Sequence, residues 1–283
     1  MQWTAGQMLA IALIGLVGGT LGGLLGLGGS VFIIPALTLL LGTNQHLYQS
    51  SALIANIFVA GAATLRHRGR GTIRRDIAPV MAASTTLAAL AGVFVSNMLQ
   101  PKPLAAVFGV FLLYAAAAEV LGLLRRAPDP EPPASEGTRW KLGIGVGAIG
   151  GFASGLLGIG GGAIMVPLLR RFGKLPVRQA VASSAAAMIV ACTVGATAKN
   201  LSVTGLTDPS GQPLTHQSAL FLALLLTPMA TLGGSLGAAL VYKLPIVAIR
   251  ACLSLLLAFA GFRMVTVGGA ELLETIQSWI GAR

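Results

Sequence analysis

One glycine-rich apolar string occurs twice in this chain. Residues 18–35 read GGTLGGLLGLGGSVFIIP, residues 150–167 read GGFASGLLGIGGGAIMVP, and nine of the 18 aligned positions are identical. Glycine weakens a helix interior because it loses more conformational freedom on folding than other residues do. A second copy of such a costly string indicates an internal duplication, so we predict two similar structural units that each begin with it.

The segments around the two strings are long, apolar and almost uncharged. The chain is 55% hydrophobic and 10% charged, and its first charged residue is Arg66, whereas soluble domains are roughly 25% charged. Uncharged blocks long enough to cross a ~30 Å hydrocarbon core recur throughout. We therefore predict an all-α, polytopic membrane protein with first blocks at 8–42 and 142–169 and further spans at 47–65, 77–99, 103–124, 179–198, 218–241 and 245–267.

Three segments divide the chain. Residues 1–125 form the first membrane repeat, and residues 141–283 form the second, which ends in an amphipathic tail that would lie in the membrane interface. Residues 126–140 join them as a cytoplasmic linker, because its prolines and charges cannot continue a membrane helix. We therefore expect the protein to be embedded in a lipid bilayer.

The basic residues predict how the repeats are oriented. Short cytoplasmic loops accumulate Lys and Arg, and 14 of the 19 basic residues fall on the cytoplasmic side if each first block enters the membrane and returns. A block that crosses once leaves only 11 there. We therefore expect two inverted repeats with both termini extracytoplasmic, and we explain the net charge of +11 by topology and not by a nucleic-acid partner.

Each first block must contain a break. At 1.5 Å per residue, residues 142–157 make a helix of about 24 Å and residues 163–171 one of about 14 Å, so two full spans do not fit. The block is then either a re-entrant hairpin or a helix split into two short spans. The break falls on the glycine clusters GLGGS at 26–30 and GIGGG at 158–162.

The two breaks predict an anion site. Two helix N-termini that face one cavity offer free N–H groups and helix dipoles to a negative charge. The candidate binding residues there are Gly28, Gly29, Ser30, Gly160, Gly161 and Gly162. The alternative is that these glycines only allow close helix packing, which is the role we expect for the upstream Gly15, Gly19, Gly23, Gly147, Gly151 and Gly155.

Other polar groups in the spans are weaker candidates. Serines at the start of the span after each break could bind an oxyanion or cap a helix, namely Ser50, Ser51, Ser183 and Ser184. Asn56, Thr193 and Thr197 are expected to be buried polar groups that line a pathway or join helices.

Charged residues, histidines and cysteines are the remaining side chains that could carry chemistry. Ionisable residues inside a span are functional suspects by default, and these are Glu119, Arg250 and Arg263, of which Glu119 is the candidate for proton coupling. His46, His67 and His216 are expected in loops and exposed to water, and Cys192 and Cys252 are expected to be small core residues. No metal site, cofactor motif or catalytic constellation is predicted.

The strings GGLLGLGGSVFIIP and SGLLGIGGGAIMVP, one at the start of each half, resemble those of the sulfite exporter TauE/SafE family. The resemblance covers essentially the whole chain. It implies a multi-pass permease of the bacterial inner membrane that exports, or in some members imports, sulfite or organosulfonates. The motif positions that it assigns here are Gly26, Gly28, Gly29 and Pro35 in the first half and Gly158, Gly160, Gly161 and Pro167 in the second.

These observations favour a secondary transporter of a small sulfur-containing oxyanion and not an enzyme. A passive anion channel and a membrane-embedded accessory subunit without transport remain alternatives. The sequence leaves open which anion is carried, in which direction and with what coupling ion, and whether the protein forms a homodimer.

Overall fold

The computed structural model describes residues 3–68, 72–124, 140–208, 211–240 and 246–281. Within these ranges the chain is helical and has no strand, only an isolated bridge between Thr207 and Pro213. The helices are α1 (Ala5–Leu25), α2 (Ser30–Leu41), α3 (Gln45–Arg68), α4 (Ala78–Met98), α5 (Pro101–Leu124), α6 (Trp140–Leu157), α7 (Gly162–Gly173), α8 (Val177–Ser202), a short 3-10 turn (Val203–Gly205), α9 (His216–Leu240) and α10 (Ile246–Gly281).

Eight helices in the described ranges are long and apolar enough to cross a bilayer, and α2 and α7 are not among them. The prediction of an all-α polytopic membrane protein is confirmed. Large apolar side chains also point outward from these helices, for example Leu87, Phe94 and Leu224, as expected for a surface that meets lipid. The linker predicted at 126–140 lies outside the described residues except for Trp140.

Each glycine-rich block consists of a long and a short helix. Helix α1 has 21 residues and α6 has 18, whereas α2 and α7 have 12 each. A 12-residue helix is about 18 Å long, which is shorter than the hydrocarbon core. Pro35 and Pro167 lie inside the two short helices.

Helices of one half pack against helices of the other half. By the duplication, α6 corresponds to α1 and α9 corresponds to α4. Helix α1 packs along α9, and α6 packs along α4. The first helix of each half therefore lies on the fourth helix of the other half, while α3 packs on α8 and α5 on α10.

Rows of glycine make these crossings close. A Cβ atom on Gly15 would lie 2.7 Å from the carbonyl oxygen of Leu226, and one on Gly19 would collide with that of Ala230. On α6, a Cβ on Gly147 would lie 2.6 Å from the carbonyl oxygen of Met81. The remaining members of the rows meet backbone in the same way, namely Gly23, Gly151 and Gly155. The predicted packing role of these six glycines is confirmed.

The C-terminal tail differs from the prediction. We expected a span that ends near residue 267 and a separate interfacial helix after it. Instead, α10 runs for 36 residues from Ile246 to Gly281 without a break. Gly268 and Gly269 do not end the helix, and Gly268 lies against the backbone of Lys102 at the start of α5, so packing on α5 keeps this part helical.

Candidate functional site

The two breaks between long and short helices lie in contact with each other. We call residues 26–29 the first glycine loop and residues 158–161 the second, and every residue in both is buried. A Cβ atom on Gly28 would lie only 2.8 Å from the carbonyl oxygen of Ile159. One on Gly162 would collide with the carbonyl oxygen of Gly26. The backbones of the two loops thus touch with no side chain between them.

Most glycines in the loops have a left-handed backbone. The φ angles are 67° at Gly26 and 83° at Gly28 in the first loop, and 74°, 75° and 83° at Gly158, Gly160 and Gly161 in the second. A residue with a Cβ atom is strained in this region. Gly29 differs, because its φ of −64° suits any residue. A larger side chain is excluded there by the nearby backbone of Gly18.

Several backbone N–H groups in the loops donate no hydrogen bond within the described residues. Among the hydrogen bonds of the described residues, none is donated by the N–H of Gly28, Gly29, Gly160, Gly161 or Gly162. These groups lie at the N-termini of α2 and α7, where the first N–H groups of a helix have no partner within the helix. Buried N–H groups without a partner are rare in proteins. The loops therefore present several donors in a site shielded from water.

One side chain from α3 lies beside both loops. The Asn56 Oδ1 accepts a hydrogen bond from the N–H of Ser30 at 3.3 Å, and its Nδ2 donates to the Ser30 Oγ at 2.7 Å. The same Nδ2 would lie 2.9 Å from a Cβ atom on Gly160 and 3.6 Å from one on Gly28. Asn56 and Ser30, both predicted candidates, are thus brought together at the loops.

An apolar side chain from α8 lies beside the same two glycines. Met188 of α8 lies 132 positions after Asn56, the spacing of the duplicated strings, and its Cε would lie 3.1 Å from a Cβ atom on Gly28 and 2.8 Å from one on Gly160. An amide from α3 and a thioether from α8 thus both lie beside Gly28 and Gly160. The site is asymmetric, although the backbones that form it are duplicated.

The four candidate serines are buried close to the starts of α3 and α8. The Ser51 Oγ donates to the carbonyl oxygens of Leu47 and Ala219, and the Ser184 Oγ donates to that of Val181. The Ser183 Oγ accepts from the N–H of Arg74. The Ser50 Oγ is the exception, because it has no hydrogen-bond partner among the described residues.

The prediction that Thr193 and Thr197 are buried is wrong. Both side chains are exposed, and each hydroxyl donates to the carbonyl oxygen four residues earlier on α8. The side chain of Thr193 therefore faces away from the helix contacts and not toward the glycine loops. Helical spacing places both threonines on one face, and the hydroxyls satisfy themselves on their own helix.

The charged candidates lie outside the glycine loops. Glu119 is partly buried on α5, and Arg263 is exposed on α10. The side chains of Arg250 and Cys252 lie outside the described residues. Cys192 is a free, buried cysteine, as predicted. Among the described residues, no three His, Cys, Asp or Glu side chains are grouped as metal ligands.

The prediction for two histidines is wrong as well. His46 and His67 belong to α3 and are buried, whereas His216 begins α9 and is exposed. The span predicted at 47–65 was shorter than α3 at both ends, because polar residues at a helix end look like loop residues in a sequence. Helix α3 continues past them in both directions.

A buried lysine is a further candidate residue that the sequence did not reveal. Lys199 of α8 has a relative exposure of 0%. Its Nζ donates to the Ser96 Oγ at 2.8 Å and to the Asn97 Oδ1 at 2.7 Å, and it lies 3.0 Å from the His46 Nδ1. The run KNLSVTGLTDPS, which begins at this lysine, looks like an extracellular loop. One signal was available, since Lys199 lies 132 positions after His67, at the equivalent place in the other repeat.

A family model described as Sulfite exporter TauE/SafE matches residues 11–264. Among similar proteins, the "probable membrane transporter protein YunE" of Bacillus subtilis is 26% identical over 93% of this chain and 98% of its own length. A "probable membrane transporter protein" of Haemophilus influenzae is 32% identical over 63% of this chain and 68% of its own. The "probable membrane transporter protein MamO" of Magnetospirillum gryphiswaldense is 26% identical over 93% of this chain, which spans 46% of MamO. No solved structure matches the chain.

Proposed function

Because the chain belongs to the sulfite exporter TauE/SafE family of membrane transporters, we propose that it is a secondary transporter whose substrate is a small sulfur-containing oxyanion. The two glycine loops bind the anion. The unbonded N–H groups of Gly28, Gly29 and Gly160–Gly162 are the single observation that carries this proposal. An oxyanion supplies the acceptors that these donors lack, and the dipoles of α2 and α7 favour its negative charge.

The size of the site favours a small substrate. The loops touch each other, and neither leaves room for a methyl group at Gly28, Gly160 or Gly162. The ligand must therefore bind as the loops separate slightly, and a tetrahedral or pyramidal oxyanion with short substituents meets that requirement. Sulfite and organosulfonates are the substrates that the family description and the resemblance of the motif support, and export is the direction.

Asn56 and Ser30 complete the proposed site. The Asn56 Nδ2 and the Ser30 Oγ now bond to each other, and both can turn to an anion between the loops. Ser50 is the next candidate, because its buried hydroxyl has no partner among the described residues. Ser51, Ser183 and Ser184 position α3 and α8 by bonds to backbone, while Gly26, Pro35, Gly158 and Pro167 shape the breaks.

The membrane arrangement that fits this site is a pair of inverted repeats, residues 1–125 and 141–283, joined by a cytoplasmic linker. One short helix enters from each side of the bacterial inner membrane, and both termini are extracytoplasmic. This arrangement puts 14 of 19 basic residues in the cytoplasm. It also places the two loops near the middle of the bilayer, where irregular backbone is tolerated only if it is buried or lines a cavity.

Flux of labelled anions in proteoliposomes tests the proposal. We expect saturable transport of sulfite or of an organosulfonate such as isethionate, with counterflow when unlabelled anion is placed on the opposite side. Flux that never saturates would indicate a passive channel. Absence of flux for every oxyanion tested, with correctly folded protein in the membrane, would leave an accessory subunit and would contradict the proposal.

A further inference from the structure

Lys199 is a buried ionisable group that has no carboxylate beside it. Among the described residues, no ion pair includes Lys199, and the pairs of Arg74 with Asp76 and of Lys102 with Glu271 lie elsewhere. The three hydrogen-bond partners of its amine are the neutral groups of His46, Ser96 and Asn97. A buried charge is normally paired or discharged, so this lysine requires an explanation beyond packing.

The hydrogen bonds around Lys199 have a defined direction. The His46 Nε2 lies 3.0 Å from the carbonyl oxygen of Leu99. A carbonyl can only accept, so Nε2 carries the hydrogen and Nδ1 of the neutral ring accepts from Lys199. An ammonium group at Lys199 then uses all three of its hydrogens, one for each partner.

A chain of hydrogen bonds joins Lys199 to the second glycine loop. The Ser96 Oγ, which accepts from Lys199, donates to the Gln49 Oε1 at 3.0 Å. The Gln49 Nε2 donates to the carbonyl oxygen of Leu156 at 3.0 Å, two residues before the loop begins. Gln49 also contacts the loop itself, because its Cβ and Cγ would lie 2.8 Å from a Cβ atom on Gly158. Every bond in the chain points from the amine to the loop.

From this arrangement we propose that Lys199 is the proton-coupling residue of the transporter, and that the proton travels in the same direction as the anion, so that export occurs when the outward anion gradient exceeds the inward proton gradient. This inference rests on the proposed function and deepens it by naming the coupling ion. The sequence alone had favoured Glu119 for that role. Lys199 is fully buried and connected to the loop, whereas Glu119 is only partly buried on α5.

The hydrogen bonds around Lys199 can accommodate both the protonated and the neutral amine. When a proton binds the lone pair of Nζ, the ammonium donates to Ser96, and the serine hydroxyl donates to Gln49. When the proton leaves to water, the neutral amine accepts from the Ser96 hydroxyl, and Gln49 loses that donor. Gln49 then holds the Leu156 carbonyl less rigidly, and the loop binds the anion less tightly. The positive charge favours an anion at the loop, and by reciprocity the bound anion favours the proton.

The titratable groups near Lys199 are few. From α3, His46 contacts the amine, and Tyr48 is engaged elsewhere, with its hydroxyl donating to the carbonyl oxygen of Gly42. Helix α4 presents Ser96 and Asn97, which do not titrate, and the 3-10 turn contains no titratable residue. The amine is therefore the group that we expect to exchange the proton.

The test is a coupled-transport assay in proteoliposomes with the voltage clamped at zero by potassium and valinomycin. Isethionate is the preferred probe because a sulfonate does not titrate near neutral pH. If the wild type carries only sulfite, sulfite is used, and protein-free vesicles correct for permeation of its protonated forms. The wild type should accumulate the anion in an alkaline lumen.

Lys199→Arg is the decisive variant, because a guanidinium keeps the charge but does not release its proton. We expect counterflow near the wild-type rate, since exchange requires no deprotonation, and a loss of pH-driven accumulation of about tenfold or more. If Lys199→Arg does not fold, Lys199→Met is used, which should show no response to the pH gradient. Ser96→Ala should weaken the response while counterflow persists, and Thr197→Val on the exposed face of α8 is the matched control.

Three results would overturn the inference. One is a wild type that carries the anion but ignores the pH gradient. Another is wild-type accumulation by Lys199→Met. The third is full net transport with a normal pH response by Lys199→Arg, which would make the lysine a fixed counter-charge. A wild type without counterflow of any anion would instead contradict the proposed function.

Discussion

Asn56 and Ser30 are joined by two hydrogen bonds, one from the Ser30 N–H to the Asn56 Oδ1 and one from the Asn56 Nδ2 to the Ser30 Oγ. Ser30 is the first residue of α2, so the amide caps the helix whose N-terminus faces the second glycine loop. The Asn56 Oδ1 thus accepts from an N–H group at the helix end where we propose that the anion binds.

Asn56→Asp should therefore impair transport strongly. The carboxylate is isosteric with the amide and can still accept from the Ser30 N–H, but it puts a negative charge in the proposed anion site. Like charges brought together in a buried site cost several kcal/mol, so KM for the anion should rise by roughly a hundredfold. Asn56→Leu, which removes the hydrogen bonds without adding a charge, is the control. Equal KM values for the two variants would mean that position 56 is remote from the substrate.

Alanine substitutions should separate the two classes of glycine. Gly19→Ala and Gly151→Ala place a methyl group against the backbone of α9 and α4, and we expect a destabilisation of about 1–3 kcal/mol, typical of an overpacked contact. Gly61→Ala, where nothing lies within 4 Å of the new atom, is the matched control. Thermal unfolding in detergent measures the difference, and equal midpoints for all three variants would contradict the packing role.

Gly160→Ala should impair flux beyond any loss of folded protein. The methyl group opposes a φ of 75° and enters the space beside Asn56 and Cys192. Anion flux is compared per molecule of folded transporter, with Gly61→Ala again as the control. Normal flux after that correction would show that the second loop is a structural break and not a binding site.

The inverted topology predicts which loops face the periplasm. Phe172→Cys lies on the exposed end of α7 and Gly205→Cys on the turn after α8, each in a background without the native cysteines. In intact cells, a membrane-impermeant thiol reagent should label position 205 and spare position 172. The reverse pattern would exclude the assignment of both termini to the outside.

The ion pair between Lys102 and Glu271 should contribute little to stability. The Nζ and Oε1 atoms lie 2.6 Å apart, but the side chains are 43% and 38% exposed, and exposed pairs contribute less than about 1 kcal/mol. Lys102→Met should shift the unfolding midpoint only slightly. A large shift would mean that α5 and α10 depend on this charge and not on their glycine contacts.

Much of the fold could be predicted because it follows from length, hydropathy and repetition. The packing glycines were predictable too, since a spacing of four residues places Gly15, Gly19 and Gly23 on one face of α1. The exposure of individual side chains could not be predicted, because it depends on how the helices pack. The exposure of Thr193 depends on which face of α8 meets α3, and no pattern along the chain reports it.

The buried lysine shows a second limit. Lys199 lies next to Asn200 in a polar run, and the same letters suit a loop or the last turn of a helix. Only the packing of α3 and α4 on α8 shows that the amine is enclosed and that Ser96, Gln49 and Leu156 connect it to the loop. A relationship among residues on four helices has no local signature.

The exchange of helices between the halves also constrains how the protein is made. Helix α1 is synthesised before its partner α9, which begins more than 200 residues later, a delay on the order of tens of seconds at 5–20 residues per second. During that interval the groove of Gly15, Gly19 and Gly23 faces lipid, open to any other helix with small residues. The ribosome must therefore synthesise α9 of the second repeat before α1 can pack on its partner, and a chain truncated after α5 leaves α1 without α9.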